Sequence, residues 1–137
     1  MYFVFQSAFY MFRFSLVYFL SAILLVALDL LIVNHLHDAV IRPYGGDFLW
    51  GIFLYCLVKS FFNLRVGPAV LGVFLFCCFE EVLQYFHFAD WLGFTKPSLM
   101  RTLIGTTFSW ADILTYGLGL GVVFVLEKIR YETICST

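Results

Sequence analysis

The chain has 137 residues, of which 63% are hydrophobic and only 12% are charged, and its mean hydropathy is +0.96. A soluble domain of this size exposes a larger share of charged side chains, so the composition predicts a multi-pass membrane protein. The formal net charge of -1 argues against a nucleic-acid partner, because no basic patch is available to neutralise phosphates. We expect a single domain over residues 1–137 that is surrounded by membrane lipids.

Apolar runs separated by polar breaks predict four transmembrane helices, since about 20 apolar residues are needed to span the hydrocarbon. The predicted helices cover about residues 12–36, 48–64, 68–88 and 111–129. The connection between the third and fourth helices is long and semi-polar, so a short interfacial helix is expected there. The predicted fold class is all-α, an integral membrane bundle of four transmembrane helices.

Lysine and arginine residues set the predicted orientation, because cytoplasmic loops are enriched in them. Five lie on one side of the predicted bundle, namely Arg13, Lys59, Arg65, Lys128 and Arg130. Three lie on the other side, namely Arg42, Lys96 and Arg101. This asymmetry predicts that both termini are cytoplasmic.

Two adjacent carboxylates, Glu80 and Glu81, stand inside the third apolar run. A charge near the bilayer centre costs about 3 kcal/mol on insertion scales, so such a residue is usually functional or paired. Gln84 follows one turn later and shares a helix face with both acids. This segment is therefore the first candidate for a site.

The other predicted helices also bring acids to the outer half of the bilayer. Asp47 and Asp112 stand near the starts of the second and fourth helices, and Asp29 stands near the end of the first. The ligand-binding candidates are Arg42, Asp47, Glu80, Glu81, Gln84, Arg101, Asp112 and Tyr116. The two arginines are the available counter-cations, and arginine suits bidentate contacts with carboxylate or phosphate.

Structural interpretations of the same residues remain open. Asp47 and Asp112 are also favoured N-cap residues. Glu81, Gln84 and Arg101 would equally suit an ion-pair network that only holds helices together. The histidines and cysteines lack the spacing of a metal site or a disulfide framework, so no metal and no cofactor are predicted. Gly117 and Gly121 form a small-xxx-small pair that predicts a homodimer through this face.

Four stretches carry a resemblance to a known family. Residues 38–47, 55–56, 81–86 and 104–116 read DAVIRPYGGD, YC, EVLQYF and IGTTFSWADILTY. In this order they resemble the domain of unknown function 2809 family of small bacterial membrane proteins, which is similar in turn to the VanZ-like proteins. The VanZ-like pattern is matched by Glu80, Glu81, Gln84, Arg101, Asp112 and Gly119. Tyr116 departs from it, because asparagine is usual at that position.

The resemblance implies a multi-pass protein of the bacterial cytoplasmic membrane, and it implies no chemistry. Three functions therefore stay open. The first is binding of an envelope lipid head group, a cell-wall precursor or a small polar ligand by the acids and arginines. The second is an enzyme acting on a lipid-linked phosphate, with Glu81 or Asp112 as the catalytic acid or base. The third is a structural or assembly protein.

Overall fold

The computed structural model describes residues 12–35, 41–98 and 107–136. This part of the chain forms five helices: α1 (Leu16–His35), α2 (Ile41–Phe61), α3 (Val66–Tyr85), α4 (Phe88–Trp91) and α5 (Trp110–Cys135). Its only β-type pairing is an isolated bridge between Phe12 and Phe62. The predicted all-α class is confirmed.

Two of these helices, α3 and α5, are long and apolar enough to cross a membrane, judged by length and composition. A shorter apolar helix, Leu16–Ile32, lies within α1. The α2 helix does not meet the same criterion, and it carries Arg42, Asp47 and Lys59. The described residues thus contain two candidate membrane spans, and four crossings stay a prediction.

The helix α2 begins earlier in the chain than the sequence predicts. It starts at Ile41, whereas the apolar pattern places its start at about residue 48. Pro43 is compatible with this start, because a proline in the first turn removes no intrahelical hydrogen bond. Asp47 therefore lies between one and two turns inside the helix, and its interpretation as an N-cap is wrong.

The helix α5 is longer than predicted and has a different cap. It begins at Trp110 and continues to Cys135, past the last apolar turn. Its N-cap residue is Ser109, whose side chain makes no capping hydrogen bond, and Asp112 lies in the first turn. Asp112 is therefore not an N-cap either, although its carboxylate still complements the positive end of the helix dipole.

The helix α2 is the centre of the bundle, since it packs against α1, α3 and α5. Its closest approach is to α5, where a Cβ atom added to Gly119 would lie 2.6 Å from the carbonyl oxygen of Phe48. A Cβ atom added to Gly51 would lie 3.5 Å from the carbonyl oxygen of Tyr116. The two backbones are thus in direct contact, which only glycine permits at the tighter position.

A narrow core lies between the helices, and large apolar side chains cover the outside. Tyr55, Cys77 and Leu120 are almost completely buried. Exposed apolar residues on the helices include Leu20, Leu24, Leu75, Phe79, Leu118 and Leu126. An apolar surface of this extent is typical of helices whose outer face contacts lipid or another protein.

The helix directions define two ends of the bundle. At the first, called the acid end, α1 and α3 finish while α2 and α5 begin. At the second, called the tail end, α1 and α3 begin while α2 and α5 finish. The segment before α1 closes the tail end, because the N–H groups of Arg13 and Ser15 donate to the carbonyls of Phe61 and Ser60 at 3.1 and 2.8 Å.

Candidate functional site at the acid end

Glu81 is the most deeply buried charged residue described, with a side chain that is 0% exposed. One carboxylate oxygen accepts a hydrogen bond from the Ser109 backbone N–H at 3.2 Å. The other accepts a longer hydrogen bond from the Tyr116 hydroxyl at 3.4 Å. Because both partners come from α5 or its N-cap, Glu81 connects α3 to the start of α5.

Asp47 and Asp112 join the same cluster. The Asp47 carboxyl of α2 lies near Asp112 and Tyr116 of α5 and near Glu81 of α3. Three helices thus bring Asp47, Glu81 and Asp112 together around the hydroxyl of Tyr116. We call these four residues the acid cluster.

Glu80 has a separate partner on another face of α3. Its carboxylate accepts a hydrogen bond from the Trp50 indole N–H of α2 at 3.1 Å. The two adjacent glutamates therefore serve different contacts, since Glu80 connects α3 to α2 while Glu81 connects α3 to α5. The sequence predicts one shared site for both glutamates. It does not predict Trp50 as a partner, because the direction in which Trp50 faces depends on the rotation of α2 about its axis.

Asp29 of α1 differs from the other acids at this end. Its Oδ1 atom is buried and has no hydrogen-bond partner among the described residues. A Cβ atom added to Gly46 of α2 would lie 3.4 Å from this oxygen, so the carboxylate faces the glycine surface of α2. The sequence analysis counted Asp29 among the outer acids but not among the ligand-binding candidates. Asp29 thus provides an unused buried acceptor beside the start of α2.

The remaining candidates fall at the edge of the cluster or outside the described residues. Gln84 is half-buried, and its backbone carbonyl accepts a hydrogen bond from the His87 N–H at 3.0 Å. Arg42 belongs to α2 one turn before Gly46, but its side chain lies outside the described set. Arg101 lies outside the described residues altogether. For the two predicted counter-cations, Arg42 and Arg101, only the position in the sequence is therefore known, and their contacts with the acids stay a prediction.

The chemistry available in the described part of the site is that of hydrogen-bond acceptors. Within residues 12–35, 41–98 and 107–136 no group of three His, Cys, Asp or Glu side chains is arranged to hold a metal ion. Carboxylate oxygens that are not committed to a metal accept hydrogen bonds from hydroxyl, amine or guanidinium groups. Carboxylates are complementary to a donor-rich polar group or a cation.

The glycines that predicted a dimer face have different surroundings. A Cβ atom added to Gly117 would lie 3.5 Å from the Phe74 ring of α3, so this glycine faces a helix of the same chain. A Cβ atom added to Gly121 would meet nothing within 4 Å. Of the two, Gly121 is therefore the open position, and the homodimer stays a prediction.

Comparison with known proteins gives one match. The profile of the family described as Protein of unknown function (DUF2809) matches residues 36–120, which is more than half of the chain and includes every member of the acid cluster. No curated protein and no solved structure matches the chain. The chain belongs to the DUF2809 family.

Proposed function

We propose that this protein is a multi-pass protein of a bacterial cytoplasmic membrane that binds a polar ligand at its acid end. Both termini are placed on the cytoplasmic side, and the acid end faces the outer leaflet. The ligand is an envelope lipid head group, a cell-wall precursor or a small polar molecule. The unpartnered buried oxygen of Asp29 is the observation that carries this proposal.

The helix lengths support four crossings. Helices α1 and α2 have 20 and 21 residues, which correspond to about 30 Å at 1.5 Å per residue and match the hydrocarbon thickness. The polar residues of α2 are compatible with a crossing, because α2 packs against α1, α3 and α5 and can turn polar side chains towards them. Polar side chains inside a membrane normally face the bundle interior in this way.

The acids at this end differ in whether their carboxylate oxygens already have a polar partner. Glu81 already accepts two hydrogen bonds, and Asp47 has Asp112 and Tyr116 as polar neighbours. Asp29 Oδ1 has no such partner among the described residues, and a buried acceptor without a partner costs about 1–3 kcal/mol. A hydroxyl, amine or guanidinium group that reached Asp29 beside Gly46 would remove this cost.

Isothermal titration with a polar lipid extract of bacterial envelopes, in detergent, tests the proposal. We expect saturable binding by the wild type and at least about tenfold weaker binding by Asp29→Asn, because one charged hydrogen bond is lost. Arg42→Ala and Arg101→Ala are expected to weaken binding of a phosphate-bearing ligand. Asp90→Asn is the matched control, because Asp90 is an exposed acid in the segment next to the acid end. Equal binding by all variants would contradict the proposal.

A structural role is the second candidate, and the burial of Glu81 favours it. A carboxylate that is 0% exposed and accepts hydrogen bonds from α5 and its N-cap can hold α3 and α5 together without any ligand. In that case Glu81→Gln lowers the thermal stability, and any ligand binding is lost only in proportion to unfolding. The ligand-binding proposal predicts the converse for Asp29→Asn, namely unchanged or higher stability with weaker binding.

A further inference from the structure

The tail end carries a groove that the acid-end proposal does not use. The groove has a volume of about 530 Å³ and is lined by the start of α1, the end of α2, the start of α3 and the last turns of α5. A second cavity of about 270 Å³ shares Tyr18, Glu127 and Arg130 with it, and it reaches inward to Tyr55. We call these two adjoining cavities, which share lining residues, the tail recess.

The charges around the tail recess favour an anion. Three cationic residues line the groove, Lys59, Lys128 and Arg130, against the single carboxylate of Glu127. That carboxylate is already engaged, because one of its oxygens accepts a hydrogen bond from the Tyr18 hydroxyl at 2.6 Å. Lys59 donates to the carbonyl oxygen of Leu64 at 2.6 Å and keeps two further N–H donors. The recess therefore holds more positive charge than its own acid can balance.

A buried donor lies at the inner part of the recess. Tyr55 is only 1% exposed, and its hydroxyl has no hydrogen-bond partner among the described residues. Tyr55 also lines the inner cavity, so we expect its hydroxyl to turn towards a ligand oxygen that enters there. This observation is independent of the charges, and it points to the same ligand chemistry, a group rich in acceptor oxygens.

The remaining lining of the groove is apolar. Val66, Phe124 and Ile134 line it beside the cations. A free inorganic ion would gain nothing from these side chains, whereas a lipid places an acyl chain next to its phosphate. The combination of cations, a buried donor and an apolar wall is the complement of an amphiphilic anion.

From this geometry we infer that the tail recess binds the phosphate head of an anionic glycerophospholipid. Lys128 and Arg130 contact the phosphate, the Tyr55 hydroxyl donates to a lipid oxygen, and an acyl chain follows Phe124 towards the bundle interior. The site shares no residue with the acid cluster, so it can be confirmed or refuted independently of the proposed function. In the proposed orientation it samples the cytoplasmic leaflet, where anionic lipids attract basic residues.

Native mass spectrometry of the full chain, purified in dodecyl maltoside, tests the inference. The probes are phosphatidylglycerol, phosphatidylcholine with the same acyl chains, glycerol 1-phosphate and inorganic phosphate. We expect Arg130→Gln to weaken phosphatidylglycerol binding about tenfold, which is the loss typical of one charge-assisted contact. Arg65→Gln is the matched control, because Arg65 is an exposed cation at the same end that does not line the recess. It should change the affinity less than about twofold.

Tyr55→Phe separates a ligand contact from a structural one. Without lipid, this variant should unfold at a higher temperature than the wild type, because it removes a buried hydroxyl that lacks a partner. With phosphatidylglycerol, the same variant should bind several-fold more weakly than the wild type. A hydroxyl that only packs in the core would produce the first effect without the second, and this result would remove Tyr55 from the site.

The other possible results of the binding experiment also support or refute the lipid site. Equal weakening by Arg65→Gln and Arg130→Gln, or equal binding of phosphatidylcholine, would indicate general attraction to the micelle surface and overturn it. Tight, Arg130-dependent binding of inorganic phosphate or glycerol 1-phosphate would support the anion site and refute the lipid as its source. No binding of any probe by the folded wild type would refute the site.

Discussion

The contact between α2 and α5 makes Gly119 the position most sensitive to a small substitution. The Cβ atom of alanine would lie 2.6 Å from the Phe48 carbonyl oxygen, whereas ordinary contact begins at 3.4 Å. The two helices must therefore separate by about 0.8 Å, in a region where packing leaves no free space. Such overpacking costs about 1–3 kcal/mol, and the better helix propensity of alanine returns at most about 1 kcal/mol. We expect Gly119→Ala to lose about 2 kcal/mol, because the opposing atom belongs to the backbone.

Two glycines of the same helix provide matched controls. Gly121→Ala should stabilise the helix by about 0.5–1 kcal/mol, since no atom lies within 4 Å of the new Cβ. Gly117→Ala should stabilise the helix by a similar amount, because its Cβ would be 3.5 Å from a Phe74 ring atom, which is ordinary contact. Unfolding in mixed detergent micelles, followed by circular dichroism, gives the three free energies. If Gly119→Ala is as stable as Gly121→Ala, the α2–α5 contact is not as close as described.

Three further predictions concern single contacts and topology. Trp50→Phe removes the indole donor of Glu80 and should lower the free energy of unfolding by about 2 kcal/mol, measured in the same micelles; no change would mean that water replaces the donor. Tyr18→Phe removes the 2.6 Å hydrogen bond to Glu127 and should cost about 1–2 kcal/mol, unless the carboxylate is fully solvated. Cys135 is the exposed native cysteine of the described residues, so an impermeant maleimide should label it only after the cells are permeabilised; labelling of intact cells would reverse the proposed orientation.

The sequence predicts the apolar helices well and the polar start of α2 badly. The apolar run of α3 is bounded by polar residues, so its predicted limits, 68–88, lie close to the observed Val66–Tyr85. The start of α2 is not apolar, and Pro43, Gly45 and Gly46 are common in loops. Packing against α1 overrides that preference, because the Gly46 position gives the Asp29 carboxylate room beside α2.

The contents of the acid end follow in part from helix direction alone. Because alternate helices run in opposite directions, an acid near the end of α3 and acids near the starts of α2 and α5 must share one end of the bundle. This argument brings Asp47, Glu81 and Asp112 together, but it does not identify their partners. The Ser109 N–H and the Trp50 indole reach the glutamates only because each helix has a particular rotation about its own axis. The sequence does not predict that rotation, because apolar residues occur on all sides of these helices and the apolar pattern marks no single inward face. Whether the cluster binds a ligand stays a prediction.

The helix dipole separates the acids of this end into two kinds. Asp112 lies in the first turn of α5, where the dipole stabilises a carboxylate, and Glu81 lies about one turn before the end of α3, where the dipole opposes one. Asp47 lies almost two turns inside α2, and Asp29 lies almost two turns before the end of α1, so the dipole has little effect on either. Glu81 is compensated by the Ser109 N–H and the Tyr116 hydroxyl. Asp29 Oδ1 has no partner among the described residues, so nothing in that part of the fold compensates for its burial.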